Sequence, residues 1–332
     1  MIDTSLPRII TRILCIIIIA IFLMHPVSAE KISDLTVSQL SIQEGLSQNT
    51  VNTILQDEKG FIWFGTQDGL NRYDGYTIRA FRSDPSSVSS ISSGYVTDLE
   101  QGPDGIMWIG TLSGLNRFNP KTEEFTRFFY HHGQESSLSD NLIHDLCMDI
   151  AGRLWIATDQ GGLNVLDPET GRFTNWIHHD DDEHSIISNR IWQVTHDPTG
   201  KIWLNTPSGL DCFIPETGIF RHYVHDPDNP ASLYVNETLA SLWDDNGFLW
   251  VLSPLGLDKL DLETDEVTHF LFAISGAESG IGLKEGAIIA SSDNNIWIGT
   301  RGSGLRVFDP VSETFTYYPG ESHDPGFIQS NA

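Results

Sequence analysis

The sequence predicts an all-β chain folded as a β-propeller of four-stranded blades, and three observations carry that reading. A tryptophan recurs at Trp63, Trp108, Trp155, Trp203, Trp250 and Trp297, with successive gaps of 45, 47, 48, 47 and 47 residues. A period that regular marks a repeat architecture. Around each tryptophan the same short apolar run is punctuated by Gly, Asp and Pro, the pattern of strands and turns. After residue 30 no segment has the length and period of a helix. Four-stranded units set radially leave only short, protected sheet edges, which is the propeller solution.

Within one unit the elements follow in order. The inner strand is expected over 51–56, and an Asp opens a tight turn six residues before the tryptophan (Asp57, Asp149, Asp197, Asp244). A Gly stands three residues before it (Gly60, Gly105, Gly152, Gly200, Gly247), and Asn294, which also tolerates positive φ, takes that place in the sixth copy. The second strand, 61–65, runs into Thr66, with Thr111, Thr158, Thr206, Ser253 and Thr300 as its counterparts. A Gly-Leu pair (Gly69-Leu70, Gly114-Leu115, Gly162-Leu163, Gly209-Leu210, Gly256-Leu257, Gly304-Leu305) starts the third strand, 70–73, and the outer strand, 76–81, closes the sheet. Both faces of a blade lie against neighbours, so the repeated tryptophan is first of all packing. The interior is expected to be a set of inter-repeat cores and not one.

The rest of the chain divides around the repeats. Residues 1–29 read as an export signal: Arg8 and Arg12 lead an apolar run over 13–24, and Val27-Ser28-Ala29 offers a small-residue cleavage site. Cleaved or kept as an anchor, the segment places the remainder outside the cytoplasm, in the periplasm. Residues 30–48 hold a closing strand (35–41) and lead-in, 49–326 the six complete repeats, and 327–332 the run-up to a seventh inner strand. The expectation is a truncated seven-bladed ring whose first strand belongs to a blade completed further along a longer protein; a six-bladed ring with loose ends is the alternative.

Nineteen basic against 45 acidic side chains give a net charge of -26, which excludes nucleic acid and anionic membrane surfaces as partners. Cys147 and Cys212 fall in different repeats at non-equivalent positions, so no disulfide between them is expected. No Gly-x-Ser-x-Gly elbow, His-Glu-x-x-His pair or Cys-x-x-Cys occurs, so nothing supports nucleophilic or zinc catalysis. Gly299-Thr300-Arg301-Gly302-Ser303-Gly304 has the look of a phosphate loop but aligns with the turn of every other repeat and opens no helix.

The run Glu44-Gly45-Leu46-Ser47-Gln48-Asn49-Thr50-Val51, followed by Asp57, Gly60, Trp63-Phe64-Gly65-Thr66 and Gly69-Leu70-Asn71-Arg72-Tyr73-Asp74-Gly75, resembles the two-component regulator propeller family. The likeness covers nearly the whole chain after the export signal. Asn205, Leu252 and Ser253 depart from the usual Gly-Thr, Ala157 from Gly and Asn294 from Gly, which puts strand ends in repeats four and five in question. The resemblance implies an extracytoplasmic ligand-sensing region, often two seven-bladed propellers and a β-sandwich. A membrane helix and a histidine kinase, sometimes a hybrid, or a diguanylate cyclase would follow. It also leaves room for a homodimer of the full-length protein, and in some lineages points to glycans as ligands.

Strand direction sorts the loops. The Asp-x-x-Gly and Pro-x-Thr-Gly turns share one end of the disc, whereas the Gly-Thr-x-x-Gly-Leu turns and the long crossings 83–93, 131–140, 178–188 and 225–236 share the other. Long loops on a rigid scaffold make the second end the ligand face. Gln67, Asp68, Asp159, Gln160 and Arg301 stand in its turns near the channel and are the candidate contacts for a small molecule or oligosaccharide. The His178-His179-Asp180-Asp181-Asp182-Glu183-His184 tract, with His131-His132 one repeat earlier, has metal-ligand residue types but no fixing spacing; a solvated crossing loop is the expectation, with no metal and no cofactor. Asp98, Asp145, Thr53 and Gln193 share a column on the channel wall, where bonding to neighbouring backbone N–H groups is expected. The other functional classes are a free-standing propeller enzyme resembling the streptogramin lyases and a passive adhesion or carbohydrate-binding scaffold.

Overall fold

The computed structural model describes residues 40–134, 136–244, 246–272, 286–300 and 304–318. They form six four-stranded antiparallel sheets, each ordered from inner to outer strand as the chain runs. Blade 1 comprises β1 (Val51–Gln56), β2 (Ile62–Thr66), β3 (Gly69–Tyr73) and β4 (Ile78–Phe81). Blade 2 comprises β5 (Val96–Gln101), β6 (Met107–Thr111), β7 (Gly114–Asn119) and β8 (Glu124–Phe128), and blade 3 β9 (Ile143–Met148), β10 (Leu154–Thr158), β11 (Leu163–Asp167) and β12 (Arg172–Trp176). Blade 4 follows with β13 (Gln193–His196), β14 (Ile202–Thr206), β15 (Gly209–Ile214) and β16 (Ile219–Tyr223). Blade 5 has β17 (Ala240–Trp243), β18 (Phe248–Ser253), β19 (Gly256–Asp261) and β20 (Glu266–Leu271); blade 6 has β21 (Gly286–Ala290), β22 (Ile296–Thr300), β23 (Leu305–Asp309) and β24 (Thr314–Tyr318). Inner strands β1, β5, β9, β13, β17 and β21 pack in that succession, so the described residues form a six-bladed propeller from the six complete repeats expected.

The tryptophan spacing has a stereochemical reason beyond the turn. The Asp six residues upstream uses one carboxylate oxygen to accept backbone N–H groups of its own turn and the other to accept the indole N–H. Trp63 Nε1 lies 2.9 Å from Asp57, Trp155 Nε1 2.8 Å from Asp149, Trp203 Nε1 3.3 Å from Asp197 and Trp250 Nε1 2.8 Å from Asp244. A buried indole N–H without an acceptor costs about 1–3 kcal/mol, so the turn and the core residue come as one unit. In blade 6 the Ser291 hydroxyl takes the carboxylate's place, 3.1 Å from Trp297 Nε1, and Asn294 adopts φ 64° as expected.

The tryptophans of blades 1 to 5 each face the next blade. Trp63 packs with Leu99, Met107, Ile109 and Phe118 of blade 2, and Trp155 with Val194, Ile202 and Phe213 of blade 4. Trp108, Trp203 and Trp250 build the equivalent layers against blades 3, 5 and 6, so five inter-blade cores hold the described structure together. Truncating such a tryptophan to Ala costs about 3–5 kcal/mol.

Strands in blades four and five are whole, contrary to the doubt raised by their departures from Gly-Thr. Asn205 is buried and donates to Gln193 (3.0 Å) and Ser241 (2.8 Å), tying blade 4 to blade 5, while Leu252 joins the apolar layer against blade 6. Both fill space that Gly leaves to its neighbours elsewhere. The second, third and outer strands of blade 1 are each displaced by a residue or two from the expected 61–65, 70–73 and 76–81, since Gly69 already pairs with Thr66 and Asp74 closes its own turn on Tyr76 and Thr77. The export signal, the strand expected over 35–41 as far as residue 39, and the seventh-repeat run 327–332 lie outside the described residues. The lead-in that is described holds a short 3-10 turn, Ile42–Glu44, capped reciprocally by Ser41 and Glu44.

The two outermost blade faces differ from the rest. Leu99, Leu146 and Val194 occupy one column and are buried against the preceding blade, yet Ile54 in the same column is 64% exposed. Trp297 is only half-buried, unlike its five counterparts.

Candidate functional site

The loops sort as strand direction requires. Gly69 N donates to the Gly94 carbonyl (2.7 Å), Gly114 N to Asn141 (2.7 Å) and Gly162 N to Asn189 (2.9 Å), so each β-turn of one blade is fastened to the crossing that enters the next. Buried side chains on the third strands anchor the other limb of those crossings. Asn71, Asn116 and Asn164 accept the N–H of Ser47, Ser92 and Ser139, and Asp211 and Asp258 accept those of Ile187 and Tyr234. The long-loop end is therefore a rigid surface.

On that surface the structure gathers one polar cluster, between blades 3 and 4. Asp159, in the turn after β10, receives Arg190 Nε at 2.8 Å and lies 3.2 Å from His144 Nε2. Gln160 Nε2 donates to its other oxygen at 3.2 Å, and Gln160 N to Asp140 at 2.9 Å. The Arg190 guanidinium stands over the Trp192 ring (5.5 Å), whose edge meets the His144 ring at 5.1 Å. The Trp192 indole N–H is buried without a partner among the described residues. Partial burial works against the Asp159 charge, but hydrogen bonds from Gln160, His144 and Arg190 outweigh it and hold the carboxyl below its ordinary value. A carboxylate so held stays ionised and serves as an acceptor, not as a proton donor.

Asp159 and Gln160 are thus brought together with three residues that sequence reasoning missed: His144, Arg190 and Trp192. A signal existed in the triplet Arg190-Ile191-Trp192, where Ile191 is buried and its neighbours project to the opposite side of the chain. Asp68 engages Arg82 (3.0 Å) on the exposed flank of blade 1 instead, and Gln67 sits half-buried in the same turn. Arg301 lies outside the described residues. The His178–His184 tract folds as a crossing loop; among the described residues no group of three or more His, Cys, Asp or Glu side chains is placed to hold a metal ion.

The channel wall carries the column foreseen in the sequence. Asp98 accepts the Thr53 hydroxyl (3.0 Å) and the Leu146 N–H (3.0 Å), Asp145 accepts the Val194 N–H (2.8 Å), and Gln193 accepts the Ser241 N–H (2.5 Å). These bonds run from each inner strand to the next, so the column stitches blades together. Burial pushes the Asp98 carboxyl up to about 6 and that of Asp145 well up, with mutual repulsion adding to the second. Glu100, which accepts the Met148 N–H at 3.0 Å, is pushed up to about 7 by burial. Cys147 and Cys212 are free thiols whose ionisation burial opposes.

Comparisons with known proteins agree with this architecture. The family model for the two component regulator propeller matches residues 45–68, 90–113 and 137–160. A histidine kinase of Formosa agariphila is 49% identical over 49 residues, which is 15% of this chain and 4% of that protein. Among solved structures, the extracellular domain of a hybrid two-component system from B. thetaiotaomicron superposes with a TM-score of 0.72 at 26% identity, covering 88% of this chain and 38% of that one. Virginiamycin B lyase from Staphylococcus aureus shares the fold, with a TM-score of 0.60 at 12% identity over 83% of this chain and 86% of its own. The chain thus spans well under half the length of the sensor proteins it matches. With its Trp-centred blades and its Gly-Thr and Gly-Leu turns, the chain carries two-component regulator propeller repeats, matched over residues 45–68, 90–113 and 137–160.

Proposed function

We propose that this propeller is the extracytoplasmic ligand-sensing region of a membrane-spanning signal-transduction protein, a two-component sensor histidine kinase, exported through its N-terminal segment. The observation that carries the reading is the 26% identity over 88% of the chain to the extracellular domain of a hybrid two-component system. The ligand, a small molecule or an oligosaccharide, is received on the long-loop face by Asp159, Gln160, Arg190, His144 and Trp192. An ion-paired carboxylate and guanidinium offer fixed hydrogen-bonding partners beside an aromatic ring, a set suited to a neutral polar ligand. Gln67 and Asp68 extend the same face.

A seventh blade completes the ring. Supporting this are the exposure of Ile54 on the leading face of blade 1 and the incomplete burial of Trp297 on the trailing face of blade 6. Gly299 adds to it: among the described residues an added Cβ would meet nothing within 4 Å there, whereas at Gly65 it would strike Val96 of the next blade at 2.5 Å. The full-length protein is the object to test. Its autophosphorylation is measured against a panel of oligosaccharides and small molecules for the parent, Asp159→Ala and Arg190→Ala, with circular dichroism as the folding control. Loss of a ligand response with the fold intact supports the reading, and an undiminished response in both variants overturns the site.

A further inference from the structure

Two histidines on the outer strands of blades 4 and 5 meet hydrogen-bond acceptors at both ring nitrogens. His222 Nδ1 lies 2.6 Å from Asp211 Oδ1 and its Nε2 2.9 Å from the Glu183 carbonyl oxygen. One blade on, His269 Nδ1 lies 2.7 Å from Asp258 Oδ1 and its Nε2 3.0 Å from the Pro230 carbonyl oxygen. A neutral imidazole has one N–H, and a carbonyl oxygen has no proton to give. Each His–Asp pair therefore holds one proton more than a neutral ring beside a carboxylate. Placed on the ring or on the carboxyl, that proton satisfies both contacts, and without it two acceptors face each other.

The carboxylates have no alternative partner in solvent. Asp211 and Asp258 are buried, and their second oxygens already accept the N–H of Ile187 (2.7 Å) and Tyr234 (2.9 Å). Other titratable groups face the pairs from the crossings. His178 is near Asp211, with Nδ1 2.6 Å from the Ile186 carbonyl oxygen and Nε2 3.1 Å from the exposed Asp180. His225 is near Asp258, with Nδ1 2.8 Å from the Leu233 carbonyl oxygen, and the Tyr234 ring lies 5.5 Å from that of His269.

We propose that these two pairs are proton-operated clasps: holding the extra proton, each fastens the crossing loop that enters its blade to the outer strand, and losing it releases the loop's outer limb. The loop into blade 4 runs on to Arg190, so the clasp at the rim bears on the geometry of Asp159 at the ligand face. The clasp itself stands whether or not that face binds a ligand. Its direction follows from two upward shifts. The hydrogen bond to Asp211 raises His222, and burial raises Asp211. Stability from a raised group is complete below its ordinary value and is lost as pH rises through the folded one. The clasp closes in acid and opens toward alkaline pH.

Blade 2 supplies an internal comparison. Arg127 occupies the same outer-strand column and donates to the carbonyl oxygens of Ser90 (2.7 Å), Ser87 (2.7 Å) and Ile91 (3.4 Å). A guanidinium does not titrate in this range, so that clasp stays shut. Hydrogen exchange by mass spectrometry on the full chain, from about pH 5.5 to about pH 9 and corrected for intrinsic exchange, follows all three loops. Protection of 179–187 and of 226–235 is expected to fall about tenfold relative to 84–92, the size of one hydrogen bond to a charged group. His222→Gln should abolish the pH response of 179–187 alone, and His269→Gln that of 226–235 alone, a reciprocity that general destabilisation does not give. A pH response equal in all three loops of the parent protein overturns the proposal, whatever the variants do.

Discussion

Gly65→Ala tests how closely consecutive blades approach. A Cβ at Gly65 would sit 2.5 Å from Thr53 Cγ2 and 2.5 Å from Val96 Cγ1, about 1 Å inside ordinary carbon contact. Both neighbours are β-branched, and stiff at χ1, so neither rotates away cheaply. Replacing Gly in a strand gains about 0.5–1 kcal/mol of backbone entropy, whereas overpacking costs about 1–3 kcal/mol, so the clash wins by about 1 kcal/mol at the middle of the two ranges. Urea unfolding followed by tryptophan fluorescence should show the lower midpoint. Combined with Val96→Ala, the loss should be smaller than the sum of the two single losses, because the same methyl is removed from the clash. Gly299→Ala, with no neighbour within 4 Å among the described residues, keeps the entropy gain without the clash and should stabilise by about 0.5–1 kcal/mol. Where the proposed seventh blade is present, that gain should turn into the cost seen at Gly65. A Gly65→Ala protein as stable as the parent, or strict additivity with Val96→Ala, would refute the close approach of blades 1 and 2.

Asp149→Ala should cost about 2–3 kcal/mol, since Asp149 accepts the N–H groups of Ala151 and Arg153 and the buried Trp155 indole; chemical denaturation reads it. Partial burial resists its charge, but those bonds win and hold Asp149 low, so its contribution is present above the ordinary carboxylate range and fades as pH falls through the folded value. The variant should therefore lose part of the parent's acid sensitivity. Glu100→Gln should act the other way. Glu100 is raised to about 7 by burial, so its contribution is lost as pH climbs past that value. The amide keeps the acceptor for Met148, and the midpoint should rise at about pH 8.5 by the equivalent of about 1 kcal/mol, discounted for channel solvent, with little change at about pH 5. Glu313→Gly should stabilise by about 1 kcal/mol, because Glu313 adopts φ 56°, where Gly171 and Gly218 stand in blades 3 and 4; thermal unfolding checks it.

The repeat itself was legible in the sequence. Its period, the Asp–Gly–Trp turn and the Gly-Leu pair depend on local backbone geometry and alternation, which a chain writes into consecutive residues, and they fixed the six complete repeats, their strand order and which loops share an end. The bonding of Asp98 and Asp145 to neighbouring N–H groups was legible too, because equivalent columns of a propeller must face one another. Pairings between repeats were not. Asp159 and Gln160 were recognised as turn residues, but Arg190, His144 and Trp192 complete their cluster from other strands, at a distance set by blade twist and loop course. The identity of Asp68's partner, Arg82, and the double-acceptor setting of His222 and His269 likewise belong to groups on residues 11 to 39 positions apart. A sequence states which residue types each blade carries, and only the register of neighbouring strands and the course of the loops that fold onto them decide which of those residues share a proton.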